Sequence, residues 1–224
     1  MKAIVSWSGG KDSAMALERV LADPAIDVVG LLTTFNQYHD RVSIHGVRRE
    51  LLEDQVGAIG LPLISVRLPD ACTNQEYERR MGNVLRELKG KGVTHVVYGD
   101  LFLADLRAER ERKLATIGLY GHFPLWGEDT AKLARSFVNE GYRAVVACVD
   151  TMQLAATFSG LRFDHSFLDA LPDGVDPCGE NGEFHTFVHG GPVLRHEVDI
   201  RTGAGVLREG RFQFTDLLPS TSTS

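Results

Sequence analysis

The stretch KAIVSWSGGKDSAMALERVLA, residues 2–22, indicates how the N-terminal half of this protein folds. KAIVSW is a short aliphatic run typical of a buried strand, and DSAMALERVLA has the apolar spacing of an amphipathic helix. The segment SGGKDS, residues 8–13, lies at the turn between them. Glycine lets backbone amides approach an anion, Lys11 adds a charge, and the helix N-terminus adds a partial positive charge. The pattern therefore predicts a phosphate-binding loop.

Further aliphatic runs alternate with amphipathic stretches as far as about residue 150. The runs that predict strands are IDVVGLLTTF, LPLISVRL, THVVYGD and RAVVACVD. Because helical patterns separate these runs, we expect an α/β fold, a parallel sheet with helices on both faces. Ligands of such sheets bind at the carboxyl ends of the strands, so the loops that follow strands are the places to seek chemistry.

The pattern changes after residue 150. TMQLAATFSGLRFDHSFLDAL is helical and irregular, DGVDPCGENGEFHT is rich in turns, and VLRHEVDIRTGAGVLREGRFQF predicts two strands joined by a Gly-rich turn. We therefore predict a nucleotide-binding domain over residues 1–150, a small C-terminal α+β extension that binds substrate over residues 151–218, and a disordered tail over residues 219–224.

Composition limits the classes of function. The chain has 224 residues, of which 43% are hydrophobic and 24% charged, as in a folded globular domain. A net charge of −6 gives no general attraction to nucleic acid, so we expect no such partner. No signal-peptide pattern and no apolar run near about 18 residues is present, which predicts a cytoplasmic protein without a membrane partner. Cys72, Cys148 and Cys178 never form CxxC, which argues against a zinc ribbon or a redox pair.

The segment SGGKDS matches neither the Walker A pattern nor the Rossmann fingerprint. A structural alternative is that Asp12 or Ser13 only caps the helix. The segment resembles the PP-loop of the ATP pyrophosphatase superfamily, whose fold is adenine nucleotide α-hydrolase-like. This resemblance implies that ATP is cleaved between its α and β phosphates to AMP and pyrophosphate. The residues that would hold ATP are Ser8, Gly9, Gly10, Lys11, Asp12 and Ser13.

Three further segments extend the resemblance over about residues 2–200. They are IHGVRRELLEDQVGAIGLPL at 44–63, YGDLFLADLRAERERK at 98–113 and GENGEFHT at 179–186. They are similar to segments of the diphthine–ammonia ligase family within that superfamily. The matching positions are His45, Gln55, Gly60, Pro62, Gly99, Arg107 and Glu111. At His185 the chain departs from the Glu of the archaeal and eukaryotic diphthine enzymes, and a bacterial branch of the family carries the HT ending found here.

The resemblance and the chemistry of the residues together suggest roles. Lys11, Asp12 and Arg107 are candidates for catalysis, and Gly99 and Asp100 for the nucleotide site. Asp12 and Asp100 are candidate Mg²⁺ ligands, since Mg²⁺ binds few carboxylates together with substrate phosphates. Two structural alternatives remain open, namely that Asp100 is a solvated loop residue and that Arg107 only forms an ion pair with Glu111, four residues later.

We assign the substrate side to His45, Arg110, Glu180, Glu183 and His185. The paired glutamates suit an ammonium ion, a cationic substrate or a metal, and an imidazole in place of a carboxylate changes the charge that is preferred. The alternatives are that GENGEFHT is a solvated acidic turn and that His185 is a structural residue.

Together these features predict an ATP-dependent ligase with ATP and Mg²⁺ as cofactors. A carboxylate on a small molecule or a protein would be activated as an adenylate and converted to an amide by ammonia or an amine. One alternative is diphthine–ammonia ligase itself, acting on an elongation factor, and another is a sensor that binds ATP without turnover. A homodimer is left open.

Overall fold

The computed structural model describes residues 1–38, 41–42 and 46–220. In this part of the chain a mixed, mostly parallel sheet is followed by a separate antiparallel sheet. Helices pack on both faces of the first sheet, which confirms the predicted α/β fold with a C-terminal extension. None of the helices in these residues has the length and apolar character needed to cross a membrane.

The first sheet places β1 at its centre. The strands are β1 (Lys2–Ser6), β2 (Asp27–Asn36), β3 (Arg41–Val42), β4 (Leu63–Leu68), β5 (His95–Val97) and β6 (Tyr120–His122). β1 is parallel to β2 on one side and to β5 on the other. β4 is parallel to β2, β6 is parallel to β5, and the short β3 runs antiparallel to the end of β2. The loop after β1 therefore lies in the middle of the sheet edge at which ligands bind.

The second sheet is antiparallel in the order β8-β7-β10-β9. Its strands are β7 (Arg143–Asp150), β8 (Phe184–Gly190), β9 (Ile200–Arg208) and β10 (Phe212–Pro219). The helices of the chain are α1 (Lys11–Leu21), α2 (Arg49–Ile59), α3 (Asn74–Gly90), α4 (Ala104–Ala115), α5 (Thr130–Asn139) and α6 (His165–Ala170). A short 3₁₀ turn at Ala156–Phe158 precedes α6.

Two apolar clusters form the core, one on each face of the first sheet. Because side chains alternate along a strand, Ile4 faces the cluster with α3 and α4, whereas Ala3 and Val5 face the cluster with α1, α2 and α5. The cluster with α1, α2 and α5 continues into the antiparallel sheet through Phe184 and Phe187. The two sheets thus share one core, which holds the GENGEFHT segment against the phosphate loop.

The structure corrects one predicted strand. RAVVACVD is β7, which pairs antiparallel with β8 and β10 and does not continue the parallel sheet. An aliphatic run that is buried on both faces has the same pattern in either kind of sheet, so the run alone does not distinguish them. The division between the sheets consequently lies before residue 143, whereas we had expected the domain boundary after residue 150.

Two smaller details also differ from the expectation. The glycines of TGAG lie inside β9, and the hairpin turn to β10 is formed by Glu209 and Gly210, both with positive φ. β10 includes Pro219, which pairs with Ile200, so the strand passes the predicted limit of the extension at residue 218. Residues 221–224 of the predicted tail lie outside the described residues.

Candidate active site

The phosphate loop begins at the carboxyl end of β1 and ends at the first turn of α1. Gly10 is the N-cap of α1, with φ −90° and ψ 173°, and no side chain caps the helix. Asp12 and Ser13 lie within the first helical turn, so neither of them is the cap. The start of α1 thus follows a strand and a Gly-rich turn, the setting in which helix N-termini bind anions.

Gly9 adopts a left-handed backbone conformation with φ +81°. A Cβ at this position would lie 2.8 Å from Leu52 Cδ1 and 3.1 Å from Gln55 Oε1. Both the backbone conformation and the space therefore require glycine. The loop passes so close to α2 that its path is determined by that helix as well as by its own sequence.

Two serine hydroxyls meet inside the loop. The Oγ atoms of Ser8 and Ser13 lie 3.1 Å apart, and the Gly10 amide donates to Ser8 Oγ at 3.2 Å. Ser13 Oγ can also donate to the Gly10 carbonyl, at 2.8 Å. Hydroxyls and glycine amides in this arrangement are the neutral donors that phosphate oxygens accept from.

Lys11 is almost completely buried, with 2% of its surface exposed. Its Nζ donates to both carboxylate oxygens of Asp12, at 2.7 and 2.8 Å, and to the carbonyl of Cys178. Burial lowers the pKa of Lys11, but the Asp12 carboxylate, together with the nearby Cys178 and Glu180, raises it above the ordinary value. The ammonium is charged and neutralised by a carboxylate of its own loop.

Gln55 joins the phosphate loop to the second sheet. It is fully buried, and its Nε2 donates to the carbonyls of Gly9 and Val188 at 3.0 and 2.5 Å. Its Oε1 accepts from the indole of Trp7 at 2.9 Å. Each polar atom of the side chain is thus satisfied, and the carbonyl of Gly9 is held in one orientation.

The loop after β5 forms the second wall of the site. A Cβ on Gly99 would lie 2.6 Å from the backbone oxygen of Asp12, so glycine lets this loop touch the start of α1. Asp100 forms an ion pair with Arg110, with 2.7 Å between Oδ2 and Nε. Burial raises the pKa of Asp100, and Arg110 opposes this effect. Asp100 is therefore a half-buried, partnered carboxylate and not a solvated loop residue.

Arg107 and Arg110 point to different places. The Arg110 guanidinium lies 4.3 Å from the centre of the Tyr98 ring and lines the cavity of the site. The Arg107 guanidinium lies 4.7 Å from the ring centres of both Phe123 and Trp126. It also donates to Glu111 at 2.9 Å, so the ion pair that we kept as an alternative is present.

The segment GENGEFHT crosses the open side of the phosphate loop. Thr186 Oγ1 accepts from the Lys11 amide at 3.1 Å, and Glu180 Oε1 accepts from the Leu101 amide at 2.7 Å. Burial raises the pKa of Glu180 to about 7, and the nearby Asp12 and Asp100 add to this shift. Glu180 therefore changes its charge close to neutral pH.

Glu183 is buried behind this segment. Its Oε1 accepts from the Asp176 amide and from Asn181 Nδ2, both at 3.0 Å. Its Oε2 has no hydrogen-bond partner among the described residues. The side chain closes the turn that precedes β8, and it is absent from the residues that line the cavity.

The environments of His185 and Cys178 do not favour a charged imidazole or a reactive thiolate. Burial, together with the charge of Lys11, lowers the pKa of His185 to about 4, so its imidazole is neutral at neutral pH. Burial raises the pKa of Cys178 to about 12, and its thiol donates to the Thr130 carbonyl at 3.3 Å. A thiol with such a pKa is a poor nucleophile.

A cavity of about 290 Å³ brings most of the predicted site together. Among the predicted residues, those that line it are Ser8, Lys11, Asp12, Ser13, Gly99, Asp100, Arg110, Glu180 and His185. Gly9 and Gly10 belong to the loop but do not line the cavity. Arg107 and Glu183 do not line it either. His45 lies outside the described residues.

Sequence reasoning did not assign a role to three residues at this site. Gln55 was noted as part of a motif, and its position on the apolar face of α2, beside Leu52 and Val56, was a usable signal. Thr186 and Tyr98 had no comparable signal, since a threonine and a tyrosine at strand ends are common. Their roles depend on contacts between segments far apart in the chain.

Comparison with known families agrees with this geometry. Residues 1–120 match the diphthamide synthase N-terminal domain, and residues 129–213 match the diphthamide synthase C-terminal domain. No curated protein matches the chain. The first match ends within β6 and the second begins just before α5, so the gap lies close to the change from the parallel to the antiparallel sheet. Since the matches cover both sheets and most of the 224 residues, the chain belongs to the diphthamide synthase family.

Proposed function

We propose that this protein is an ATP-dependent ligase of the PP-loop type that activates a carboxylate for amide formation. A carboxylate oxygen of the acceptor attacks the α phosphorus of ATP, the bond to the bridging β oxygen breaks, and pyrophosphate leaves. The nitrogen of ammonia or an amine then attacks the acyl carbon of the adenylate. AMP leaves and a proton is lost from the nitrogen, which gives the amide.

The observation that carries this proposal is the phosphate loop at the carboxyl end of β1, faced by GENGEFHT across the cavity. The helix N-terminus and the serine hydroxyls offer neutral donors to the phosphates. Lys11 and Arg110 are positive, but Asp12 and Asp100 already partner them. The chain's own charges therefore do not neutralise a polyphosphate, and a cation is needed with it.

Asp12 and Asp100 fit Mg²⁺, which binds one or two protein carboxylates together with phosphate oxygens. No group of three or more candidate ligands occurs among the described residues, so the protein part of such a site is small. Bound Mg²⁺ would neutralise charge on the α phosphate and on the departing pyrophosphate. If Asp12 held a metal, Lys11, which now pairs with Asp12, would be available for a phosphate oxygen.

Glu180 is the candidate contact for the nitrogen donor. Its carboxylate lines the cavity and is held by the Leu101 amide through one oxygen. Ionised, it attracts an ammonium ion, and with a pKa of about 7 it can accept a proton from it. Positioning and charge stabilisation supply the remaining acceleration, because the acceptor carboxylate needs no deprotonation.

The family match favours a second candidate, diphthine–ammonia ligase itself, with an elongation factor as the protein acceptor. His185 argues against it, since this neutral imidazole stands at the position where the family resemblance implies a Glu in the archaeal and eukaryotic diphthine enzymes. We propose that the chain belongs to the bacterial branch whose motif ends in HT. Changing His185 to Glu tests whether this position selects the charge of the acceptor.

The test is to incubate the purified protein with [α-³²P]ATP, Mg²⁺, ammonium and a metabolite pool, to separate the labelled nucleotides, and to measure unlabelled pyrophosphate with a coupled enzyme assay. Labelled AMP with an equal amount of pyrophosphate, dependent on a component of the pool, supports the ligase. ADP as the main product rejects cleavage between the α and β phosphates. Tight ATP binding without any product indicates a sensor, and amidation of diphthine on an elongation factor makes the second candidate the better one.

A further inference from the structure

A separate cavity of about 410 Å³ lies at the end of the antiparallel sheet where β7 begins and β8 ends. We call it the distal cavity. Its lining includes Arg143 at the start of β7 and His189 near the end of β8. Among the described residues it shares no lining residue with the phosphate-loop cavity. Its volume is in the range of small-molecule sites, so it is a second place at which this protein can hold a ligand.

The extended chain just before α6 forms one wall of the distal cavity. The Phe163 amide donates to the carbonyl of Ala144 on β7 at 2.9 Å, and Asp164 has the extended dihedrals φ −136° and ψ −175°. Phe163 packs into the core, where Nζ of Lys11 lies 6.0 Å from its ring centre. Because side chains alternate along an extended chain, Arg162 and Asp164 lie on the same side, and both line the cavity.

This wall carries two charges of opposite sign without ion-pair partners. Neither Arg162 nor Asp164 forms an ion pair with any group of the described residues, including each other. Asp164 Oδ1 accepts from the Phe167 amide at 2.9 Å and so caps α6. Its Oδ2 accepts no hydrogen bond within the described part of the chain. A guanidinium and a carboxylate oxygen are therefore both available to a ligand.

The other polar groups of the lining add no net charge. Arg143 and Glu197 form an ion pair with each other. Burial is the main cause that lowers the pKa of His189, so its imidazole is neutral at pH 7. With the charges of Arg162 and Asp164 equal and opposite, the lining as a whole is balanced. Complementarity therefore favours a zwitterion over a ligand with a net charge.

The rest of the lining is mainly apolar and held in place. It includes Val138 at the end of α5, Tyr142 and Ala144. The Tyr142 ring stacks on Phe137, with 4.6 Å between the ring centres, and its hydroxyl donates to Glu18 at 2.9 Å. The hydroxyl is thus already used, and Tyr142 offers mainly its ring to the cavity. This surface suits an aliphatic group.

We propose that the distal cavity binds a small aliphatic α-amino acid, with its carboxylate at Arg162, its ammonium group at Asp164 and its side chain against the apolar lining. A guanidinium can hold a carboxylate through two parallel hydrogen bonds, and the free carboxylate oxygen can accept from the ammonium. Since this cavity is separate from the phosphate loop, the amino acid is a second ligand and not the acceptor of the proposed ligase. The inference does not depend on the proposed function.

Three probes test which charges are recognised. L-Leucine carries both charges, 4-methylpentanoate lacks the ammonium group, and 3-methylbutylammonium lacks the carboxylate. Saturation-transfer NMR titrations with the full chain give the Kd of each probe. We expect leucine to bind most tightly and each of the other probes to bind at least about tenfold more weakly, as for loss of a charge-assisted contact.

Two variants test where each charge is bound. Arg162→Gln should weaken binding of leucine and 4-methylpentanoate by about tenfold and leave 3-methylbutylammonium unchanged. Asp164→Asn should weaken leucine and 3-methylbutylammonium and leave 4-methylpentanoate unchanged, and asparagine can still cap α6. Arg201→Gln and Asp173→Asn are the matched controls, because both residues are exposed and lie outside the cavity lining. Circular dichroism checks that each variant is folded.

The inference is wrong if leucine does not bind, if a probe with one charge binds as tightly as leucine, or if cavity and control variants have equal effects. Displacement of leucine by α,β-methylene-ATP would also overturn it, because the amino acid would then lie in the nucleotide site. None of these measurements uses ATP turnover, so failure of the proposed function leaves their outcome unchanged.

Discussion

The Thr186 hydroxyl accepts a hydrogen bond from the backbone amide of Lys11 at 3.1 Å, although 175 residues separate them. Two residues farther along β8, the Val188 amide donates to the carbonyl of Gly9 at 2.9 Å. The phosphate loop is thus held on one side by its own helix and on the other by the antiparallel sheet. Changes in the C-terminal part should therefore alter ATP binding.

Replacing Thr186 with Val tests this link. The change keeps the shape of the side chain but leaves the buried Lys11 amide without its acceptor, which costs about 1 kcal/mol. We expect the Kd for ATP to rise about fivefold, measured by calorimetry with folding checked by circular dichroism. Thr202→Val, on exposed β9, is the control, and equal ATP affinity in both variants would contradict the link.

Replacing Lys11 with Met removes the loop cation and leaves the Asp12 carboxylate without its partner. ATP binding should weaken by at least about tenfold, because a charge-assisted contact contributes about 1.5–3 kcal/mol, and the protein should also be less stable. Adding Asp12→Asn should restore the melting temperature but not ATP binding. Lys132→Met, at an exposed lysine, should leave both unchanged, and normal ATP affinity in the Lys11 variant would refute the phosphate-loop assignment.

Glu183 should act through the shape of its loop. Its Oε1 accepts two hydrogen bonds, which the amide oxygen of Gln can also accept, whereas Ala removes them. We expect Glu183→Ala to lower the free energy of unfolding by about 1–3 kcal/mol and Glu183→Gln to change it less. Denaturant titrations and product assays measure this. A folded Gln variant that binds ATP but forms no amide would instead indicate a chemical role for the carboxylate.

The pKa of about 7 for Glu180 predicts a pH dependence of amide formation. Below this pH the carboxyl is protonated and does not attract ammonium, and above it the ionised carboxylate does. The rate with ammonium should therefore rise through pH 7 in the wild type, and Glu180→Gln should lack this inflection. Glu128→Gln, at a partly exposed glutamate, is the control. The same inflection in the Glu180 variant would assign it to another group.

Asp216 should stabilise the contact between the antiparallel sheet and the loop before α2. It pairs with Arg41 at 2.9 Å and Arg48 at 2.7 Å, and hydrogen bonds from Arg48 are the main cause of its lowered pKa. Asp216→Asn should reduce the unfolding free energy by about 1 kcal/mol at pH 7. Because the folded pKa is below the ordinary value of about 3.9, this contribution is present above that pH. It is lost as the pH falls through the folded pKa.

Urea unfolding of the wild type and of Asp216→Asn, compared at pH 7 and near pH 3, measures the difference in free energy. The difference should shrink at the lower pH. A difference that stays constant would mean that the carboxylate charge is not what stabilises this contact.

The sequence by itself determined the α/β class, the helices and the position of the phosphate loop. Apolar periodicity and the need for glycine at a strand-to-helix turn are local properties, so residues 2–22 contain enough information for them. The segment GENGEFHT can likewise be recognised as a motif from its own residues. The antiparallel pairing of β7 could not be read in this way, because a doubly buried run looks alike in both kinds of sheet.

Only the tertiary structure decided which way the functional side chains point. We predicted a role at the site for both Arg107 and Arg110, but Arg107 packs against the rings of Phe123 and Trp126 and only Arg110 lines the cavity. The burial of Lys11 against the Cys178 carbonyl likewise joins segments more than 100 residues apart. Such contacts form when the two sheets bury a common apolar core, a property of the whole chain that no local pattern contains.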